Sequence, residues 1–261
     1  MSMFSPFEQF ELNSLIPISI VLPWTKSNLA DTGVINLSFT NSSFYAVMIV
    51  VVCFLLSYFV WNSATVIPKA WQTVLELVYT AVLGIVVENI GKTNLKYFPF
   101  LFTVFSFILL SNLFGMIPYC FTVTSHISIT FALAFSICLS LLILGLTMHK
   151  NVFFKSFLPE GTPLALAPLL TIIELVSYCS HAISLSVRLF ANILSGHALL
   201  KILAGFMWTL ASLGGVFILA SFAPFMVVFA LTGLEFGVAA LQAYVFTVLT
   251  CIYLKDTLYL H

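Results

Sequence analysis

Residues 97–148 form a stretch of 52 residues without one Asp, Glu, Lys or Arg. Charged residues make up 7% of the chain, whereas a soluble globular domain contains about 25%. Hydrophobic residues make up 61%. This composition predicts an all-α integral membrane protein with little polar mass outside the bilayer. The formal net charge of zero gives no electrostatic basis for binding nucleic acid.

Apolar runs long enough to cross about 30 Å of hydrocarbon, which needs about 20 helical residues, define the membrane spans. Residues 44–61 form the first span, and 98–118 and 127–148 form a hairpin. Residues 162–254 hold the remaining spans, and by hydropathy alone this region can be divided into three upright helices. Residues 1–43 are predicted to be a polar N-terminal tail; they lack the basic start of a signal peptide.

Residues 68–90 differ from the other apolar segments because Lys69, Glu76 and Glu88 interrupt them. We interpret this segment as an amphipathic helix at the membrane surface. A sixth spanning helix is the alternative.

The lysines orient the predicted spans. Counting five spans, the lysines of three separate segments all fall on one side of the membrane, as the positive-inside rule expects. They are Lys69, Lys92, Lys96, Lys150, Lys155 and Lys255. The N-terminus is therefore predicted to lie outside and the C-terminus inside.

Arg188 is the only arginine of the chain and lies in an apolar run. A charged side chain at bilayer depth costs about 2.5–3.5 kcal/mol on insertion scales, so it marks a functional site. At 100° per residue, a polar stripe lies within about 40° of Arg188 on one helix face. Its members are Glu174, Ser177, His181, Ser184, Asn192 and Ser195.

Titratable residues flank Arg188 on both sides. Glu174 lies about 21 Å away along the helix axis, and His197 lies about 13 Å away in the other direction. His197 points about 180° from Arg188, so it should face a neighbouring helix. On the last helix, Glu235 and Gln242 share one face within about 20°. An intramembrane carboxylate near a histidine predicts a proton-relay pair.

Four segments of the chain resemble the subunit a family of the F-type proton-translocating ATP synthase, of the mitochondrial or alphaproteobacterial type. They are SVRLFANILSGH (186–197), LEFGVAALQAYVF (234–246), SNLFGMIPY (111–119) and SPFEQFEL (5–12). The resemblance implies a proton-conducting stator subunit with two offset half-channels. These would load and unload protons on carboxylates of a rotating c-ring and so drive ATP synthesis.

The resemblance also implies roles for single residues. Arg188 would face the c-ring carboxylates and separate the half-channels, with Asn192 and Gln242 packed near it. His197 and Glu235 would form the outer half-channel, with Glu174 on the inner side. Ser184 and His181 are added to the inner side as further candidates, and His181 matches no family position.

The implied architecture corrects the division into upright helices. The family has two long, strongly tilted helices, here 162–205 and 210–254, which form a hairpin along the c-ring with Gly214 and Gly215 near the bend. The implied partners are the c-ring, peripheral-stalk and other membrane-sector subunits, the lipid bilayer and protons, with no cofactor or metal. The implied location is the mitochondrial inner membrane, or alternatively a bacterial plasma membrane.

A secondary transporter with an Arg-bound anionic substrate is the rival function, although no internal repeat supports it. A structural assembly subunit explains the charged stripe less well. The chain has no P-loop, so we expect it to perform no ATP chemistry by itself. Its five cysteines are interpreted as small buried apolar residues.

Overall fold

The computed structural model describes residues 10–21, 34–36, 38–63, 65, 68–117, 120–149 and 167–258. Some predicted features lie outside these ranges: residues 1–9 of the tail, Pro118, Lys150, Lys155 and the predicted helical residues 162–166.

The N-terminal region contains two short antiparallel strand pairs. Its strands are β1 (Ser14–Ile16), β2 (Ser19–Val21), β3 (Val34–Asn36) and β4 (Phe39–Thr40). β1 pairs with β4, and β2 pairs with β3. The second pair lies between β1 and β4 in the chain. Strands of two or three residues are too short to show the alternation by which strands are predicted, so the sequence indicated only a polar tail here.

The first two helices are α1 (Asn41–Ser63) and α2 (Ala70–Ile90). α1 begins before its apolar run, because the backbone N–H of Thr40 donates a 3.0 Å hydrogen bond to the hydroxyl of Ser43. This bond satisfies a backbone donor at the helix start, as a capping side chain does. α2 ends at Gly91, whose φ of 88° lies in the left-handed region that glycine adopts without steric cost.

The predicted helical hairpin is formed by α3 (Phe98–Gly115) and α4 (Ile127–His149). Pro99 lies in the first turn of α3, where a missing backbone N–H breaks no helical hydrogen bond. Short 3-10 segments precede the two helices, at Lys92–Tyr97, which is kinked at Asn94, and at Val123–Ser125.

The C-terminal half consists of α5 (Ala167–Ser212), the short α6 (Val216–Ala220) and α7 (Phe222–Leu258). At 1.5 Å per residue, α5 is about 69 Å long and α7 about 55 Å, so neither fits upright within about 30 Å of hydrocarbon. Gly214 and Gly215, with φ of 72° and 59°, form the bend. The prediction of two long helices, without a break near Ser195, is confirmed. The bounds differ from the prediction, because the first helix continues to Ser212 and the bend lies within the predicted second helix, residues 210–254.

α7 lies at the centre of the packing and contacts α2, α3, α4 and α5. The core is the cluster of buried apolar side chains that these helices share, which includes Val86, Ile108, Leu141, Leu189 and Phe246. α3 packs against α7, α4 packs against both α5 and α7, and the two long helices also contact each other directly. Many large apolar side chains on the outer surface remain exposed, as a protein surrounded by lipid requires.

Six helices in the described part of the chain are long and apolar enough to cross a membrane, judged by length and composition. The all-α membrane fold is therefore confirmed. One of the six is Ala70–Asn89 within α2, so its position at the membrane surface stays a prediction. The expectation that the cysteines are buried holds for Cys251, whereas Cys179 is exposed and Cys53, Cys120 and Cys138 are half-buried.

Candidate functional site

The polar stripe lies along α5 as predicted, on one continuous helix. Ser184, Arg188 and Ser195 are exposed, whereas His181 and Asn192 are half-buried. No side chain that the structure describes forms an ion pair or a hydrogen bond with Arg188. Because Arg188 is exposed, its guanidinium lies on the surface of the helix pair.

His197 and Glu235 line the same cavity between α5 and α7, with a volume of about 260 Å³. Gly115 and Thr122 form its wall on the side of α3. One water molecule needs about 10–15 Å³ of such volume, so the cavity has room for several. The structure thus brings together the two residues that the sequence analysis paired, although they are 38 positions apart in the chain.

The buried oxygen Oε2 of Glu235 has no hydrogen-bond partner among the described residues. The buried hydroxyl of Thr122, on the same cavity, also has none. Two polar groups that line a cavity of this size can bind water or pass a proton to it.

Gly196 allows α5 and α7 to approach each other beside this cavity. A Cβ atom at this position would lie 2.9 Å from Cδ and 3.2 Å from Cγ of Glu235, and closer still to Oε1. A side chain at this position would therefore force the carboxylate of Glu235 to move from the place it has here. Gly196 lies within the segment SVRLFANILSGH, where the sequence pattern gives no sign of this role.

Asn192 and Gln242 connect the two long helices directly. Nδ2 of Asn192 donates a 3.0 Å hydrogen bond to Oε1 of Gln242. The side chain of Gln242 is 1% exposed, and its own Nε2 has no partner among the described residues. Asn192 lies one turn from Arg188, so this bond fixes the depth of the arginine relative to α7.

His181 contacts α7 near the other end of the stripe. Its ring lies 4.6 Å from the ring of Tyr253, centroid to centroid. Both rings line a cavity of about 20 Å³, which has room for about one water molecule. The sequence analysis missed Tyr253, although it follows Gln242 by eleven positions and so lies within about 20° on the same face of α7.

Glu174 lies within α5, but its side chain is outside the part of the chain that the structure describes. Ser184 is exposed one turn before Arg188. The structure therefore brings His197 to Glu235, Asn192 to Gln242 and His181 to Tyr253. For Glu174 and Ser184 it gives a position on α5 and no contact with another helix.

Asn112 is a further buried polar residue near the site. Its Nδ2 donates a 3.3 Å hydrogen bond to the backbone carbonyl of Ala239, one turn after Glu235 on α7. Its Oδ1 accepts a 3.2 Å hydrogen bond from the hydroxyl of Thr124. This network ties α3 and the turn before α4 to α7, and no sequence periodicity could have revealed a contact across 127 positions.

Comparison with known proteins identifies the family. The model of the family described as ATP synthase A chain matches residues 43–255. The chain belongs to the ATP synthase A chain family. Three relatives, each named ATP synthase subunit a, show how completely it aligns with members of this family. The Marchantia polymorpha protein is 49% identical over 98% of this chain and 99% of that protein.

The other two relatives come from Chondrus crispus and Rhodospirillum rubrum. The first is 47% identical over 98% of this chain and 97% of that protein. The second is 46% identical over 99% of this chain and 100% of that protein. As an ATP synthase A chain, the protein is a multi-pass subunit of the membrane sector. Plant, algal and bacterial relatives agree with a mitochondrial inner membrane and with a bacterial plasma membrane.

Proposed function

We propose that the chain is the proton-conducting stator subunit, with two offset half-channels that load and unload protons on carboxylates of a rotor ring. The observation that carries this proposal is the cavity shared by His197 and Glu235, beside a helix that carries the exposed Arg188. His197 lies nine positions after Arg188, which is about 13 Å along α5. The cavity and the arginine therefore lie at different depths in the membrane.

The outer half-channel uses the His197–Glu235 cavity. The predicted topology places the N-terminus outside, and Phe10 of the N-terminal region lines this same cavity. A proton would enter past Glu235 and His197 and neutralise a rotor carboxylate, because a neutral carboxyl can enter lipid at far lower cost than an ionised one. The pair Asn192 and Gln242 lies between this cavity and Arg188 along the helices and holds the two helices at that depth.

The inner half-channel uses the opposite end of the stripe, with Glu174 about 21 Å from Arg188. Ser184 and His181 lie between them on α5. A rotor carboxylate that returns to this side would lose its proton towards Glu174.

Arg188 separates the half-channels. Its exposure gives a rotor carboxylate access to the guanidinium, which favours the ionised form of that carboxylate. Because a guanidinium stays protonated in proteins, it cannot carry the proton across itself. Each charge moved across 100 mV supplies about 2.3 kcal/mol, which rotation would deliver to a catalytic head. The chain has no P-loop, so ATP chemistry would belong to that head.

Thiol labelling from each side of the membrane tests the two half-channels. In assembled complexes without native cysteines, Thr232→Cys lies on the outer cavity and Ser177→Cys lies near Glu174. A membrane-impermeant reagent should label the first from the outer face and the second from the inner face. Phe54→Cys, on a side chain of α1 that is 71% exposed on its apolar surface, should be labelled from neither. Labelling of both path positions from one face would refute the proposal.

A further inference from the structure

Phe10 is buried in a segment that is otherwise exposed. Its side chain is 9% exposed, whereas each residue from 11 to 18 is exposed. The ring meets His197 in an edge-to-face arrangement, with centroids 6.4 Å apart and an angle of 67° between the planes. Phe10 also forms part of the wall of the cavity that His197 and Glu235 share.

The N-terminal strap, residues Phe10–Ile16, is fastened to the start of α1. Nδ2 of Asn41 donates a 3.1 Å hydrogen bond to the carbonyl of Glu11, and the backbone N–H of Asn41 donates another of 3.1 Å to the carbonyl of Asn13. Ser14 and Ile16 pair with β4. These bonds fix the residues that follow Phe10 in the chain.

A second contact lies beside Phe10 itself. The imidazole of His126 lies close to the backbone of Phe10, and its Nε2 has no hydrogen-bond partner among the described residues. The same imidazole stacks on Phe121 at 5.3 Å, with an angle of 17° between the rings, and Phe121 stacks on Tyr45 of α1 at 6.2 Å. The backbone of Phe10 therefore lies beside the turn that precedes α4, and its ring packs against His197.

We propose that Phe10 is a positioning residue for the proton path, which holds the imidazole of His197 in the orientation that faces Glu235 and closes the cavity on the side of the strap. The first part rests on the proposed function of His197, whereas the closing of the cavity does not. An edge-to-face aromatic pair restricts the neighbouring ring to a small range of orientations. The orientation of an imidazole decides which of its nitrogens meets a given partner.

The rate at which Cys120 is labelled reports whether the cavity is closed, because Cys120 is a native thiol that lines the same cavity. The experiment uses the assembled complex in vesicles, with the other four cysteines replaced by Ala. Phe10→Ala should speed the reaction of Cys120 with an impermeant thiol reagent by about 2- to 10-fold, the factor that the loss of one aromatic pair represents. Leu12→Ala is the matched control, on a strap side chain that is 52% exposed, and should leave the rate unchanged. An unchanged rate in Phe10→Ala, or equal acceleration in the control, overturns the closing of the cavity.

Proton flux measures the positioning of His197. Phe10→Leu keeps an apolar side chain for assembly but removes the aromatic edge, and it should lower flux by about 2- to 10-fold. Phe10→Tyr should restore most of the flux. In a His197→Ala background, Phe10→Leu should have no further effect. Wild-type flux in Phe10→Leu, or an undiminished effect without His197, overturns the positioning role.

The two measurements separate this inference from the proposed function. If His197→Ala conducts protons normally, the proposed function fails, while the labelling of Cys120 still decides whether Phe10 closes the cavity. If His197→Ala stops proton flux, while Phe10→Leu leaves flux unchanged and Phe10→Ala leaves the labelling of Cys120 unchanged, the inference about Phe10 fails alone.

Discussion

Asn192 and Gln242 form a direct side-chain hydrogen bond of 3.0 Å between α5 and α7. Gln242 is almost fully buried, so its amide cannot exchange this bond for one with bulk water. Because Asn192 follows Arg188 by one turn, the bond sets the position of the exposed guanidinium against the last helix. A polar contact between two long apolar helices thus gives the site a register that apolar packing alone would leave less defined.

We expect Asn192→Ala and Gln242→Ala to be strongly coupled. Each variant breaks the same hydrogen bond, so the rate of proton-driven ATP synthesis in the double variant should be no lower than in the more severe single variant. As a control, Thr209→Ala removes an exposed hydroxyl that bonds only within α5 and should combine additively with Asn192→Ala. If the losses of synthesis rate in Asn192→Ala and Gln242→Ala are additive in the double variant, the two residues do not act through this hydrogen bond.

Gly196→Ala should damage the site although it adds one methyl group. The new Cβ would overlap the carboxylate of Glu235, and overpacking of this kind costs about 1–3 kcal/mol. Gly205→Ala is the matched control on the same helix, because its Cβ would meet nothing within 4 Å. There the better helix propensity of Ala should stabilise by up to about 1 kcal/mol. The two variants are compared by the temperature at which the complex dissociates and by its proton flux. Equal values for Gly196→Ala and Gly205→Ala would contradict the close approach at Gly196.

Acidification should loosen the N-terminal strap through His126, which precedes α4. Burial lowers the pKa of His126 from its ordinary value of 6.5, while the nearby backbone of Phe10 opposes this shift. The folded protein therefore binds fewer protons at this site than the unfolded chain. The contribution of His126 to the free energy of unfolding is therefore fully present above pH 6.5. It is lost as the pH falls from 6.5 towards the lower pKa that His126 has in the folded protein.

Hydrogen exchange of the backbone amides in residues 11–16 checks this sign. After correction for intrinsic rates, protection should be lower at about pH 5 than at about pH 7. His126→Gln should remove the difference, whereas His149→Gln, at the far end of α4, should retain it. Greater protection at the lower pH in the unaltered protein would contradict the assignment.

The helices and the α5 stripe could be predicted because both depend on local periodicity. Apolar runs of about 20 residues specify spans, and spacings of three and four from Ser177 to Ser195 specify one continuous helix. The same rotation placed His197 away from Arg188 and towards a neighbouring helix, and the structure shows it on the cavity with Glu235.

The contacts that the sequence did not reveal join residues far apart in the chain. Asn112 meets the backbone of Ala239, and Phe10 meets His197, and neither contact leaves a period in the sequence. Gly196 was missed for another reason: what matters there is the absence of a side chain, and a glycine in an apolar run looks like ordinary small-residue packing. The position of Tyr253 could have been predicted from the sequence, because it lies on the same face of α7 as Glu235 and Gln242.

The central claim is that Arg188 separates two half-channels, and substitution of this residue in the reconstituted complex tests it most directly. Proton-driven ATP synthesis and passive proton flux are measured for Arg188→Ala and Arg188→Lys, with Ser180→Ala as a control on an exposed side chain of α5 whose hydroxyl bonds within the helix. The account predicts assembled complexes that lose synthesis in Arg188→Ala, with a proton leak. It also predicts poor rescue by Lys, whose amine can lose its proton when desolvated and lacks the planar fork of five donors. Assembled complexes with near-normal coupled synthesis in either variant would contradict it.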